Sequence, residues 1–331
     1  MEMPDAGLAR RRLLGALGAA GAAALGAPGL LRAQGDRPIK FILPVGVGSG
    51  VDTITRSAGP AMSAALHRTV VVENQPGAGG IVGTSALVRA APDGDTLGML
   101  SNNHVIFPSV YRSLPFDPIA DITPISMVGM TPFLLVVNPR KLAARDAKAL
   151  AAELRKAPDK YNYASSGNGT ILQLAAEMYL QQAGVRVRHI PYKGVGPMMT
   201  DLMGGQVDLG VLSLPSVLPH IKSGALAAVG ACGASRMAGL PDLPTLREQG
   251  MPDYEIGGWF AVAGPARLPA AITQRVYEAL KVAFAAPDVK AAMATQGNTI
   301  LLMPPDRTAA YFRSEMKRYA SVVKGAGLEP M

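Results

Sequence analysis

Two short segments rich in glycine and hydroxyl side chains have the composition of ligand-holding loops. The first is Gly46-Val47-Gly48-Ser49-Gly50-Val51-Asp52 and the second is Ser165-Ser166-Gly167-Asn168-Gly169-Thr170. Each precedes an amphipathic stretch, so each offers unpaired backbone N–H groups and the positive end of a helix dipole. Such a loop grips a small anion without any arginine, and glycine lets the ligand approach the backbone closely. Two of them on facing domains would make a cleft for a small acid.

Catalytic patterns are poor by comparison. The first loop spaces its glycines as G-x-G-x-G, which is not the dinucleotide fingerprint, and no phosphate-loop lysine follows it. There is no G-x-S-x-G elbow. Ser321-Val322-Val323-Lys324 matches S-x-x-K but lacks companion motifs, and coincidence explains it. His67, His104, His189 and His220 are widely spaced, with no i,i+4 pair to suggest a metal. The lone Cys232 excludes a disulfide framework, a zinc ribbon and an iron–sulfur cluster. No cofactor is expected.

Hydrophobic periodicity supplies the elements that must hold the loops. The run 38–44 predicts a strand ahead of the first loop. Ile54, Ala58, Ala61, Met62 and Ala65 predict a helix starting at Asp52 and kinked at Pro60. Strands at 70–72 and 96–100 enclose a helix at 81–91, an order that argues for a parallel sheet covered on both faces. The pattern restarts with a strand at 133–137, a helix at 144–156 and a strand at 161–164. The second loop and a helix to about Ala183 follow, then strands at 188–192 and 207–211 around a helix at 195–203. The tail reads as helix over 271–285, 288–295 and 306–323. Asn102, Asn103 and His104 follow the third strand at its C-terminal end, where open α/β sheets place ligands.

The 331 residues suffice for two domains, and 49% apolar with 17% charged residues rules out a disordered chain. The net charge of +8 includes a surplus of +2 from the first 33 residues. There Arg10-Arg11-Arg12 precedes an apolar stretch at 14–31 and a small residue at Ala33, the form of a twin-arginine export signal cleaved after Ala33. An N-terminal anchor is the alternative. No later segment offers 18 uninterrupted apolar residues. The basic residues are scattered and the few aromatics do not interleave with them, so nucleic acid is not an expected partner.

Seven segments, in order, resemble the substrate-binding proteins of tripartite tricarboxylate transporters, often called Bug receptors. They are Val71-Val72-Glu73-Asn74-Gln75-Pro76-Gly77-Ala78-Gly79-Gly80, Ala91-Pro92-Asp93-Gly94-Asp95-Thr96-Leu97, Phe116-Asp117-Pro118-Ile119 and Tyr163-Ala164-Ser165-Ser166-Gly167. The others are His189-Ile190-Pro191-Tyr192-Lys193-Gly194, Asp201-Leu202-Met203-Gly204-Gly205-Gln206-Val207 and Leu240-Pro241-Asp242-Leu243-Pro244-Thr245. The resemblance implies an α/β periplasmic-binding-protein fold of the Venus-flytrap, type II-like kind, with mixed, mostly parallel sheets and flanking helices. After a signal at 1–33, domain 1 would take 34–136 and 260–331 and domain 2 would take 137–259. The chain would cross at the strands 134–137 and 259–262. A monomeric periplasmic receptor is implied, which captures a small organic carboxylate and delivers it to a membrane permease. A co-receptor for a membrane sensor kinase and a secreted hydrolase or isomerase of small acids are the alternatives.

Carried onto this chain, the resemblance makes Val47, Gly48, Ser49 and Gly50 the first-domain ligand loop, with Asp52 ordering it. Ser165, Ser166, Gly167 and Thr170 are the second-domain candidates, Ser166 and Thr170 for ligand or water contact rather than capping alone. Ala78 and Gly79 form a wall. One of Asn102, Asn103 and His104 reads the distal end of the ligand, or the three make a surface loop. Trp259 packs on the ligand or seals the hinge, and Lys193 is a counter-charge or a solvated turn residue. Val45 and Gly48-Ser49 depart from the family's aromatic and paired glycines, and Ser49 narrows the pocket. Leu212-Ser213 stands where polar residues are commoner, which suggests a more apolar wall.

Overall fold

The computed structural model describes residues 37–331, so the export signal lies outside the described residues. Strand β1 (Ile39–Leu43), helix α1 (Gly50–Leu66), β2 (Val70–Asn74), a 3-10 turn at Ala78–Gly80, α2 (Ile81–Val88) and β3 (Thr96–Ser101) follow the expected alternation. Next come α3 (Asn103–Val110) and β4 (Ile122–Thr131). A second unit is built from β5 (Phe133–Val137), α4 (Ala147–Lys156), β6 (Asn162–Ser165), α5 (Ile171–Ala183), β7 (Arg188–Pro191), α6 (Val195–Gly204), β8 (Leu209–Ser213), α7 (Leu214–Lys222) and β9 (Ala227–Ala231). The chain then returns through β10 (Gly258–Pro265), α8 (Ala270–Ala285), α9 (Pro287–Thr295), β11 (Thr299–Met303) and α10 (Pro305–Gly325).

The strands form two sheets, ordered β11-β4-β10-β3-β1-β2 and β7-β6-β8-β5-β9. Each sheet with its helices is called a lobe below. The α/β class, the two sheets and the flanking helices are those of the expected fold, but the parallel majority is not. Every pairing of β5, β10 and β11 is antiparallel. For β5 and β10 the cause is the route of the chain: β4 runs directly into β5, and β10 comes back from the other lobe, so neither is preceded by the crossover helix that parallel pairing needs.

The points of crossing also differ from the expected ones. All five residues of β5 pair in the second sheet and Trp259 pairs in the first, so the chain changes sheet at Pro132 and again just before Gly258. Helix α1 continues through Pro60. Every residue of β5 and β10 is buried, which fits their unbroken apolar runs and central positions. A large apolar cluster extends from the second sheet past Trp259 to Phe312 and Tyr319 of α10, and a smaller one fills the space under α1 and α8.

Candidate ligand-binding site

A cavity of about 420 Å³ opens between the lobes, a size typical of small-molecule sites. The first lobe lines it with Val45, Gly46, Ser49, Gly50, Val51, Ala78, Gly79, Ser101, Asn102 and Asn103. The second contributes Ser166, Gly167, Asn168, Thr170, Ile171, Leu172, Tyr192, Lys193, Val195 and Ser213. The crossing strands add Thr131, Phe133, Gly258 and Trp259. Lys193 is the one charged side chain on this wall among the described residues.

Both loops are held by their own caps. Ser49 is the N-cap of α1, its Oγ accepting the Asp52 N–H at 3.2 Å. The buried Asp52 carboxylate accepts the Gly48 N–H at 3.0 Å, Arg56 Nε at 2.8 Å and Asn74 Nδ2 at 2.9 Å. These bonds order the loop and leave the N–H groups of Gly50 and Val51 without an acceptor among the described residues. Thr170 is the N-cap of α5: its hydroxyl donates to the Gly167 carbonyl at 2.8 Å and accepts the Gln173 N–H at 3.4 Å. The Leu172 N–H and the half-buried Ser166 hydroxyl likewise have no hydrogen-bond partner among the described residues. Uncommitted donors from two helix starts therefore border one cavity with a single charged side chain among the described residues.

Several expected residues lie elsewhere. Val47 is 62% exposed and, with Gly48, stays off the cavity wall; the Gly48 N–H is occupied by Asp52 and its carbonyl accepts from Ser216 Oγ at 2.9 Å. Ser165 is fully buried, with Oγ donating to the Gly167 carbonyl at 3.0 Å and lying 2.7 Å from His189 Nε2. A serine–histidine pair suggests nucleophilic chemistry. This one is off the cavity wall, and burial pushes the His189 pKa down to about 4.

His104 is not a reader of the ligand either. It lies among Phe107, Phe116 and Phe312, with Nε2 donating to the Pro118 carbonyl at 2.6 Å. Desolvation there lowers its pKa to about 4. Asn102 reaches the wall, but its amide ties β3 to β10: Nδ2 donates to the Gly257 carbonyl and Tyr319 Oη, and Oδ1 accepts the Trp259 N–H at 2.8 Å. Asn103 joins the lobes, its Nδ2 donating to the Gly79 carbonyl at 3.0 Å and its Oδ1 accepting the Ile171 N–H at 2.9 Å. Trp259 both lines the cavity and seals the crossing, with Nε1 donating to Glu315 at 3.1 Å and its ring stacked on Phe312. Leu212 and Leu214 are buried off the wall, so the apolar lining comes instead from Val45, Phe133, Ile171, Leu172, Val195 and Trp259.

The sequence reading missed the contacts between lobes. Tyr111 Oη donates to the Asn168 carbonyl at 2.9 Å, and Ser213 and Ser216 form a hydroxyl chain that ends on Gly48. Glycines permit the close approach: a Cβ on Gly50 would lie 2.7 Å from Ser213 Oγ, and one on Gly46 would lie 3.3 Å from the Gly194 Cα. Ser213 had a local signal, a helix cap followed by Pro215. Tyr111 had none, since its partner is 57 residues away.

Residues 54–328 match the sequence profile of a family described as "Tripartite tricarboxylate transporter family receptor". The chain is 34% identical to Protein BugT of Bordetella pertussis over 88% of its own length and 90% of that protein. Its structure is similar to that of the periplasmic binding protein BugD, with 31% identity, a TM-score of 0.86 and coverage of 89% of this chain and 99% of the other. It is similar also to an R. palustris protein solved with adipate, with 26% identity, a TM-score of 0.85 and coverage of 89% and 99%.

Proposed function

Since the chain belongs to the tripartite tricarboxylate transporter receptor family, a family of solute-binding receptors, we propose that it captures a small organic dicarboxylate in the periplasm and hands it to a membrane permease. The observation that carries this reading is the set of uncommitted donors on the cavity wall: the N–H groups of Gly50, Val51 and Leu172 and the hydroxyl of Ser166. Hydrogen bonds from such donors to a carboxylate are charge-assisted, and two helix N-termini, the positive ends of their dipoles, border the cavity. Lys193 gives a second carboxylate its counter-charge, while Phe133, Val195 and Trp259 pack on the methylenes between. The adipate held by the R. palustris protein is an acid of this kind. Export by the N-terminal signal puts the receptor on the side of the membrane where such acids arrive.

The test is calorimetry on protein freed of co-purified ligand by unfolding and refolding, against succinate, glutarate, adipate and longer homologues, with monocarboxylates as controls. At least one dicarboxylate binds in the micromolar range or tighter and raises the melting temperature, because only the folded state binds. Binding of none of them would refute the dicarboxylate assignment. Uptake of the bound acid by permease-bearing cells, unchanged when this chain is deleted, would refute delivery.

A further inference from the structure

Residues 326–331 run from the end of α10 back to the cavity. The Met331 N–H donates to the Val110 carbonyl at 2.9 Å, and the Arg112 N–H donates to a backbone oxygen of Met331 at 2.8 Å. Arg112 Nε donates to the Pro330 carbonyl at 3.0 Å. The tail is thus pinned to both neighbours of Tyr111, the residue whose hydroxyl reaches across to Asn168 of the second lobe. The surroundings of that contact are tight: a Cβ on Gly169 would lie 2.7 Å from Val110 Cγ2, and one on Gly79 would lie 3.0 Å from Tyr111 Oη. Met331 itself lines the cavity beside Tyr111 and Asn168 and is 49% exposed. An unbranched, polarizable thioether at this place is a surface that adjusts to the length of what it covers.

We propose that Met331 is a specificity-determining residue of the cavity, and that the segment 328–331 braces the Tyr111–Asn168 contact that holds the lobes together. The first half rests on the ligand-binding reading above; the second does not. The tail acts on closure because Val110 and Arg112, fixed by it, set where the Tyr111 ring sits. It acts on selectivity because its last side chain is part of the wall. Shortening that side chain enlarges the cavity and leaves the amide donors in place.

The experiment compares four proteins carrying any affinity tag ahead of residue 37: the full chain, Met331→Ala, Tyr111→Phe and a chain ending at Gly327. Each is titrated with straight-chain dicarboxylates from succinate to suberate. Met331→Ala binds the full chain's best acid about tenfold more weakly, the worth of one or two buried methylenes, and shifts the optimum toward longer acids. Tyr111→Phe weakens all of them evenly without moving the optimum, and the shortened chain does both. Unchanged affinities and an unchanged optimum in Met331→Ala and the shortened chain would overturn the proposal, with melting temperatures reporting that both are folded. Should the full chain bind none of these acids, the dicarboxylate reading fails and hydrogen exchange decides the bracing role. Faster exchange of the Gly169 and Thr170 amides in the shortened chain supports it, and identical exchange overturns it.

Discussion

Gly50→Ala separates closure from recognition. Gly50 is the first residue of α1, and alanine in a helix is favoured over glycine by up to about 1 kcal/mol. Taken with the first lobe alone, the substitution is neutral or stabilising. Across the cavity the new Cβ would lie 2.7 Å from Ser213 Oγ, 3.0 Å from Ser213 Cβ and 3.6 Å from Pro215 Cγ. The Ser213 hydroxyl can rotate away if it gives up Ser216 at 2.8 Å, but its Cβ is fixed by backbone at the start of α7. The lobes must then stand apart by several tenths of an ångström, an overpacking penalty of about 1–3 kcal/mol confined to the closed arrangement. Calorimetric titration with the bound dicarboxylate shows this as a roughly 5- to 150-fold loss of affinity, while the melting temperature without ligand holds or rises. The Gly50 N–H survives the change, so a lost donor does not explain the weakening. Adding Ser213→Gly removes both clashing atoms and restores most of the affinity. Parental affinity in Gly50→Ala, or a double variant no better than the single one, would refute the reasoning.

Ser166→Ala weakens ligand binding roughly 10- to 100-fold in calorimetry, the loss of one charge-assisted hydrogen bond, and leaves stability nearly unchanged because the hydroxyl has no protein partner among the described residues. Ser49→Ala behaves oppositely at the level of folding: loss of the α1 cap lowers the denaturant midpoint by about 1 kcal/mol of stability. Asn103→Ala frees the Ile171 N–H from its cross-lobe acceptor and loosens closure, seen as a larger radius of gyration in X-ray scattering of the liganded protein. His104 and His189 both have folded-state pKa values near 4, below the value of about 6.5 in an unfolded chain, so the unfolded chain takes up protons first. Their contribution is therefore complete above about pH 6.5 and is lost as the pH falls toward about 4. For the fully buried His104 the loss amounts to about 3 kcal/mol, read as a fall in the urea midpoint that His104→Leu flattens.

The elements around the two loops were legible because local signals there agree. Thr170 in the second loop caps a helix in the structure, and the apolar runs at β1, β3 and β5 are those of buried strands. Strand β4 was not legible: Pro124 and Gly129 weaken its propensity, and Ser126 and Thr131 break the apolar run, yet pairing with β10 along its whole length holds it extended, with register shifts on the way. Asn102, Asn103 and His104 show a different limit. They sit together at the start of α3, where successive side chains turn by about 100°. That rotation sends one to β10, the next to α5 and the third into the phenylalanine cage. Their common position after a strand end pointed to a ligand role, but only the packing around α3 puts Asn102 and Asn103 on the cavity wall and His104 off it.

The glycine loops meet two demands. Absence of side chains bares the amides of Gly50, and the same absence lets Gly50 approach Ser213 and Gly46 approach Gly194. A substitution at either glycine therefore strikes closure before it strikes a donor, and a change of side chain at Val51 or Leu172 leaves the N–H in place. In the receptor proposed above, carboxylate capture is in this way insulated from most single substitutions. The choice among carboxylates is not, because it rests with the side chains that line the space between the donors: Phe133, Val195, Trp259 and Met331. Trp259 is held by Glu315 and Phe312, so changing it disturbs the crossing as well. Met331 is held by backbone hydrogen bonds to Val110 and Arg112, which a change of its side chain leaves in place. Selectivity can then shift at the tail while affinity for the carboxylate group stays with the backbone of the two loops.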